Sequence, residues 1–373
     1  MKRIGRRQCS KRVLRVFIFS LTFALFQSES LGGPTGKRIV EALLPNKPAA
    51  RPCCLLAGEL VLPWALFPKL DTVFDLSGRL DHQYGAGTWA YANRAEVSGL
   101  AYTCSVGFID LGHVRHVADL TYYYYGWLHG ATEPGDELET VGHHGFVEIT
   151  RQLPTNDPDI LLQLARSIAY DESIFYEIET YWSELLGNHH SAFSPEDMGS
   201  NLTGAYVGEQ AIHYMREEAL SYDSAVTLVL QSTLKRLRTL PAEQTKTLLS
   251  QIDNRWFAGS SQSLSYLRRR NFAYNPVAPW RLEDVEACTD SPAFLEPVRT
   301  PPQHLHDYYV ATYRIPRIFT NAVLRNQFEI PPGFGFTMDS MQSKYVSSMN
   351  FVREITRIKD HARATYGPHF DQP

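Results

Sequence analysis

His113, His116 and Asp119 recur at intervals of three in the stretch HVRHVAD, a spacing that can do chemistry. On a helix, positions i, i+3 and i+6 span about 120° of one surface, so two or three of these side chains can reach one ion or one substrate. Imidazoles with a carboxylate suit a divalent metal such as zinc, which polarises a bond or activates water for hydrolysis. Asp110, just upstream, suits the N-cap of that helix. The plainer alternative is that Arg115, four residues before Asp119, pairs with it on the outside of the helix.

Two more acids stand out in the longest apolar-periodic stretch, 158–186. Projected at about 100° per residue, Leu164, Ile168, Ile174, Phe175 and Ile178 share one face. Asp171 falls near the middle of that face, where an unpaired carboxylate is expensive, so it needs a partner: a salt bridge to another element, or a site that shifts its pKa. Glu177 flanks the same stripe. The expectation is therefore a polar cluster between two core helices. In it His113, Asp171 and Glu177 act on substrate, and His113, His116 and Asp119 hold a metal.

A third constellation pairs Cys104 with His143 or His144, a layout loosely similar to papain-like and cell-wall cysteine hydrolases. Here the helix starts some eight residues after Cys104, which denies the thiol the dipole that would lower its pKa. The stronger signatures of zincins, dinucleotide folds, P-loops and elbow-type serine hydrolases are absent.

These residues need elements to hold them. HVRHVADLTYYYYGWLHG (113–130) reads as a helix closed by Gly130, and 137–153 as a hairpin. Phe193-Ser194-Pro195-Glu196-Asp197 reads as a helix start, with Ser194 as the cap, Pro195 at the first helical position and the acids complementing the dipole. Gly204 and Gly208 would let the helix that follows approach a neighbour closely. Residues 224–240 form a further amphipathic helix, 242–257 a shorter one, and the C-terminal helix lies near 340–364. Between Pro276 and Pro332 nine prolines make extended surface connections, broken by a helical piece around 317–326.

The first 32 residues have a basic stretch, an apolar stretch from Val16 to Phe26 and then small residues, the layout of a secretory signal peptide. Its removal takes away seven positive charges and one negative, moving the net charge from −4 to −10. An acidic protein with only short basic runs excludes nucleic acid as a partner. No apolar run reaches the roughly 18 residues of a membrane-spanning helix, so the mature chain should have no transmembrane span. Export leaves Cys53, Cys54, Cys104 and Cys288, and at least one disulfide is expected to join Cys53 or Cys54 to Cys104 or Cys288. Residues 33–70, with six prolines, read as a Cys-bearing arm around the core.

At GFIDLGHVRHVAD, IAYDESIFYEIETYW and AFSPEDMGSNLTG the chain resembles a family of exported bacterial proteins known as a domain of unknown function. The resemblance runs from about Cys53 to beyond Gly204, and Phe-Ser-Pro-Glu-Asp is its most specific piece. Family members often carry His just before the glutamate of the long helix, where this chain has Tyr176. The resemblance implies shared architecture and export, and transfers no activity.

The sequence thus predicts a mainly helical α+β protein: a signal peptide (1–32), an arm (33–70), a helical core with a small sheet (71–270) and a Pro-rich C-terminal wrap (271–373). Its function reads as an exported, periplasmic or secreted, metal-assisted hydrolase acting on an envelope substrate or partner. The alternative class is a non-catalytic envelope protein, with TYYYYGWL (121–128) as a partner-facing or membrane-facing aromatic surface.

Overall fold

A short antiparallel hairpin, β1 (Leu100–Thr103) and β2 (Gly107–Asp110), runs directly into helix α1 (Leu111–Leu128). Asp110 makes the junction as the sequence predicts. Its carboxylate accepts the Gly112 N–H at 2.7 Å, satisfying one of the amides that a helix start leaves without a partner. Gly107 turns the hairpin at φ +76°, and a Cβ there would lie 2.1 Å from the Trp280 carbonyl oxygen, so only glycine fits. The computed structural model describes residues 48, 99–131, 133–141, 145–154, 157–182, 192–252, 255–256, 267–289, 296–303, 305–314 and 345–373. The expected signal peptide, the arm apart from Pro48, the helical piece around 317–326, and Cys53, Cys54, His143 and His144 lie outside the described residues.

Helix α1 is buried on nearly every side, because α2 (Pro158–Trp182) and α3 (Asp197–Glu218) both pack against it. This corrects one expectation. Tyr123, Tyr124, Trp127 and Leu128 of TYYYYGWL lie in the main core, not on a partner-facing surface, because α1 is enclosed by its neighbours. The apolar stripe of α2 is buried as its period requires, with Leu164, Ile168, Ile174, Phe175 and Ile178 all in the core. Each such side chain contributes about 1.5–3 kcal/mol relative to exposure. Gly204 and Gly208 do what their spacing suggests: a Cβ at Gly204 would meet the Val114 carbonyl oxygen at 2.5 Å, and one at Gly208 the Ala118 carbonyl oxygen at 2.8 Å. The two helices therefore touch backbone to backbone along this stretch. Helix α4 (Tyr222–Arg236) packs on α3 with Ser221 as its cap, and α5 (Ala242–Ile252) lies against β1.

The Pro-rich segment needs a second correction. It yields a short helix, α6 (Glu296–Arg299), and then strands that join the core. A four-stranded antiparallel sheet runs in the order β3 (Glu137–Glu139), β4 (Gly145–Ile149), β5 (Tyr309–Arg314), β6 (Tyr345–Ser347). β5 is an inner strand, with Val147 opposite Ala311 and Thr312 opposite Ser347. Tyr309, Ala311 and Tyr313 alternate inward and are fully buried. The prolines stop short of YVATYR, whose alternation is that of a strand. The C-terminal helix α7 (Phe351–Tyr366) packs on α2.

Cys104 and Cys288 are joined to each other, with Cα atoms 5.1 Å apart. A disulfide is present, but its pairing differs from the expected one, since neither of these cysteines is left for Cys53 or Cys54. The bridge ties β1–β2 to the segment after Trp280 in a small core of its own with Trp256. Among the described residues no helix is long and apolar enough to cross a membrane. The mainly helical α+β architecture is the one the sequence predicts.

Candidate metal centre

Three helices bring one ligand-type side chain each to a single point. His113 lies in the first turn of α1, Glu177 near the end of α2, and Asp197 is the first residue of α3; one ligand atom from each lies within 4.8 Å of the others. All three are buried, with His113 4% exposed and both acids 0%. His113 Nδ1 is 3.1 Å from Asn201 Oδ1 and 3.8 Å from Asp197 Oδ1, so Asn201, one turn along α3, fixes the ring's orientation. Tyr176, partly exposed, meets the same imidazole edge-on at 6.4 Å.

The loop before α3 holds the acids. The Phe193 N–H donates to Glu177 Oε2 at 2.8 Å, and the Ser194 N–H to Asp197 Oδ2 at 2.6 Å. The helix start itself differs from the expected one. It comes two residues later, with Glu196 in the capping position, and the Ser194 hydroxyl bonds the Glu196 carboxyl instead of a helix amide. Burial drives the Glu196 pKa up to about 8, against the opposing hydrogen bond from Ser194 and with Asp110's negative charge adding to the rise. Among the described residues Glu196 Oε1 makes no hydrogen bond. A chain of contacts ties this loop to α1: the Asp110 N–H donates to Ser200 Oγ at 2.8 Å, and Ser200 Oγ–H donates to the Glu196 carbonyl at 2.7 Å.

The remaining residues singled out in the sequence go elsewhere. Asp119 forms an ion pair with Arg115 Nε at 2.9 Å and accepts from the Tyr222 hydroxyl at 2.8 Å, and Arg115 also reaches Asp223 at 2.9 Å. The i, i+4 pair with Arg115 forms, but inside the protein and not on its outside, because α4 covers it. His116 is partly exposed and outside the trio. Asp171 does have the partners its burial demands, yet they come from the C-terminal segment and not from α1. Tyr309 donates to its Oδ2 at 2.8 Å, and His306 Nε2 is 3.2 Å away. Its neighbour Glu172 accepts from the Tyr124 hydroxyl and, at 3.0 Å, from the Val141 N–H. Both acids push up the pKa values of the tyrosines around them, adding to the larger effect of burial. Cys104, bound in its disulfide, is no nucleophile, which removes the cysteine-hydrolase alternative.

Residues 42–272 match a family model described as a protein of unknown function, DUF4056. The chain belongs to this family. The match covers His113, Glu177, Asp197 and Asn201, so the whole candidate centre lies in the part shared with the family. No curated protein and no solved structure matches the chain.

Sequence reasoning picked His113 and Glu177 but not Asp197 or Asn201. The signal was in view: Glu196-Asp197 is a pair of acids in a Ser-Pro-Glu-Asp run, read only as complements to the helix dipole. Adjacent acids at a helix start serve either purpose, and only the arrival of His113 beside them separates the two.

Proposed function

We propose that this protein is an exported, metal-assisted hydrolase whose divalent ion, such as zinc, is held by His113, Glu177 and Asp197. The observation that supports this reading is the meeting of one imidazole and two carboxylates from three separate helices within 4.8 Å, at a point from which water is largely excluded. Two carboxylates this close oppose each other's ionisation, and a cation between them removes that penalty. The donor set, one nitrogen and several oxygens, suits a divalent ion. When bound, such an ion supplies Lewis-acid polarisation of the bond to be split. The chain's own contribution is orientation: Asn201 sets the His113 ring, and the Phe193 and Ser194 amides fix one oxygen each of Glu177 and Asp197. The basic-then-apolar N-terminus supports export, and the acidic mature chain supports a substrate other than nucleic acid.

A second reading has an observation in its favour. None of the three residues is more than 4% exposed, which also suits a non-catalytic envelope protein whose polar cluster only fixes the meeting of three helices. Metal analysis and calorimetric titration of the purified protein with Zn²⁺ separate the two. The proposal expects one ion per chain, lost in His113→Ala, Glu177→Gln and Asp197→Asn and kept in Asp119→Asn. It also expects chelator-sensitive cleavage in a panel of chromogenic ester, glycoside and phosphoester substrates. No ion in the wild type, with the three variants merely unfolding, establishes the scaffold instead. Mass spectrometry of the exported protein tests the leader, which should be cut near residue 32.

A further inference from the structure

The loop that delivers Asp197 has an unusual backbone. Phe193 sits at φ +57°, a left-handed conformation that costs a bulky residue free energy and persists only where its surroundings hold it. One side of that turn is engaged by the candidate centre, since its amides at 193 and 194 hold Glu177 and Asp197. The other side is held by three consecutive residues. Arg270 donates from its guanidinium to the Ala192 carbonyl. The Asn271 N–H donates to the Phe193 carbonyl at 2.9 Å, and Asn271 Nδ2 lies 3.4 Å from the Pro195 carbonyl. The Phe272 ring packs on the Phe193 ring with centroids 4.7 Å apart.

This segment is itself backed by the C-terminus. The Arg270 N–H donates to the Phe370 carbonyl at 2.7 Å, and its guanidinium lies between the rings of Tyr181 and Tyr366, 5.0 and 5.2 Å from their centroids. Arg270 is fully buried. Taking a guanidinium out of water is costly, and the partners of this one include the Ala192 carbonyl of the turn, two aromatic faces and the Tyr366 hydroxyl at 3.4 Å.

We propose that Arg270 and Asn271 are positioning residues for the candidate metal centre, clamping the 192–195 backbone whose amides orient Glu177 and Asp197, with the C-terminal helix and tail as the backing of the clamp. The inference rests on the metal reading above. The backing lies in residues 351–373, beyond the 42–272 family match, so this part of the protein completes a centre whose ligands are all inside the match.

The test uses full-length protein, Co²⁺ as the probe, and Asn271→Ala and Arg270→Lys as the variants. Two quantities are read: hydrogen exchange in peptides covering 192–197, and Co²⁺ affinity with its visible absorption bands. Asn271→Ala should keep its far-UV spectrum, exchange about tenfold faster in that loop, and bind Co²⁺ about 10- to 100-fold more weakly with shifted bands. Arg270→Lys, which keeps the charge but not the fork, should fall between it and the wild type. Tyr222→Phe, which removes a hydroxyl from Asp119, should leave both readouts unchanged. Both Asn271→Ala and Asn271→Ser keep the backbone N–H that bonds the Phe193 carbonyl and alter only side-chain contacts, those to Pro195 and Ala278 among them; should Asn271→Ala fail to fold, Asn271→Ser, which retains a side-chain donor, takes its place. Unchanged exchange in the loop in both variants overturns the clamp, as does faster exchange with unaltered Co²⁺ affinity and bands. If the wild type takes up no Co²⁺, the metal reading falls separately, and the exchange data alone then decide the clamp: faster exchange upholds it and unchanged exchange overturns it.

Discussion

Replacing Gly204 by alanine should destabilise this protein even though alanine is the better helix former. In an ordinary helix interior the change gains about 1 kcal/mol. Here the new Cβ would stand 2.5 Å from the Val114 carbonyl oxygen and 2.9 Å from Val117 Cβ, both on α1. A backbone oxygen cannot rotate aside, so α1 and α3 must separate by most of an ångström, and forced separations of this kind cost about 1–3 kcal/mol. With the struck atom in the backbone, the upper part of that range applies, and the net expectation is a loss of about 1–2 kcal/mol, or roughly 2–8 °C in Tm for a domain of this size. Helix α3 carries its own control. A Cβ at Gly199 meets nothing nearer than the Val106 carbonyl oxygen at 3.9 Å, an ordinary contact, so Gly199→Ala should be neutral or stabilising by up to about 1 kcal/mol. The separation should also register at the candidate centre, because His113 adjoins Val114 while Asp197 and Asn201 lie one to two turns from Gly204 on α3. Zn²⁺ affinity should therefore fall in Gly204→Ala and hold in Gly199→Ala. Urea melts of the two variants side by side decide the matter. If Gly204→Ala is as stable as Gly199→Ala, the backbone contact between α1 and α3 does not exist as described.

Three other expectations follow from the same geometry. Asp171→Asn weakens the carboxylate that Tyr309 and His306 share and should cost about 1–3 kcal/mol in urea melts while leaving Zn²⁺ uptake intact, because Asp171 belongs to a different set of partners from His113. Reducing the Cys104–Cys288 bridge, which spans 184 residues of sequence, should lower the unfolding free energy by about 2–5 kcal/mol, and a melt unmoved by reductant would show that the bridge does not form in solution. His361, half-buried with Arg270 close by, has its pKa held below the usual 6.5, first by burial and then by that positive charge. Below pH 6.5 the unfolded chain takes up a proton that the folded imidazole refuses, so stability falls as the pH drops from there towards the lower folded pKa. Tm measured from pH 7 to pH 5 should fall less steeply in His361→Gln than in the wild type.

Features encoded within a turn or two of chain were readable in the sequence. Asp110 before the α1 stretch announces a cap, and the apolar stripe of α2 announces a buried face, because both are consequences of helix geometry alone. Gly204 and Gly208, four apart, announce a close approach without saying to what. The burial of Asp171 also followed from its place on that stripe, and with it the need for a partner. Which partner was a question of another order. His113 could face Asp171 or Glu177 for all that either helix's periodicity says, and the two acids sit on the same helix about 120° apart. The packing of α1 and α3 on α2 gave His113 to Glu177, and the inner strand β5 with the turn just before it, in a segment whose prolines argued for surface, gave Asp171 to Tyr309 and His306. Asp197 and Asn201 joined the centre because two glycines let α3 lie against α1 with its first turn beside His113. Secondary structure follows from the order of residues along one helix or strand; the composition of a buried polar cluster follows from which faces meet, and that depends on close packing among residues far apart in sequence.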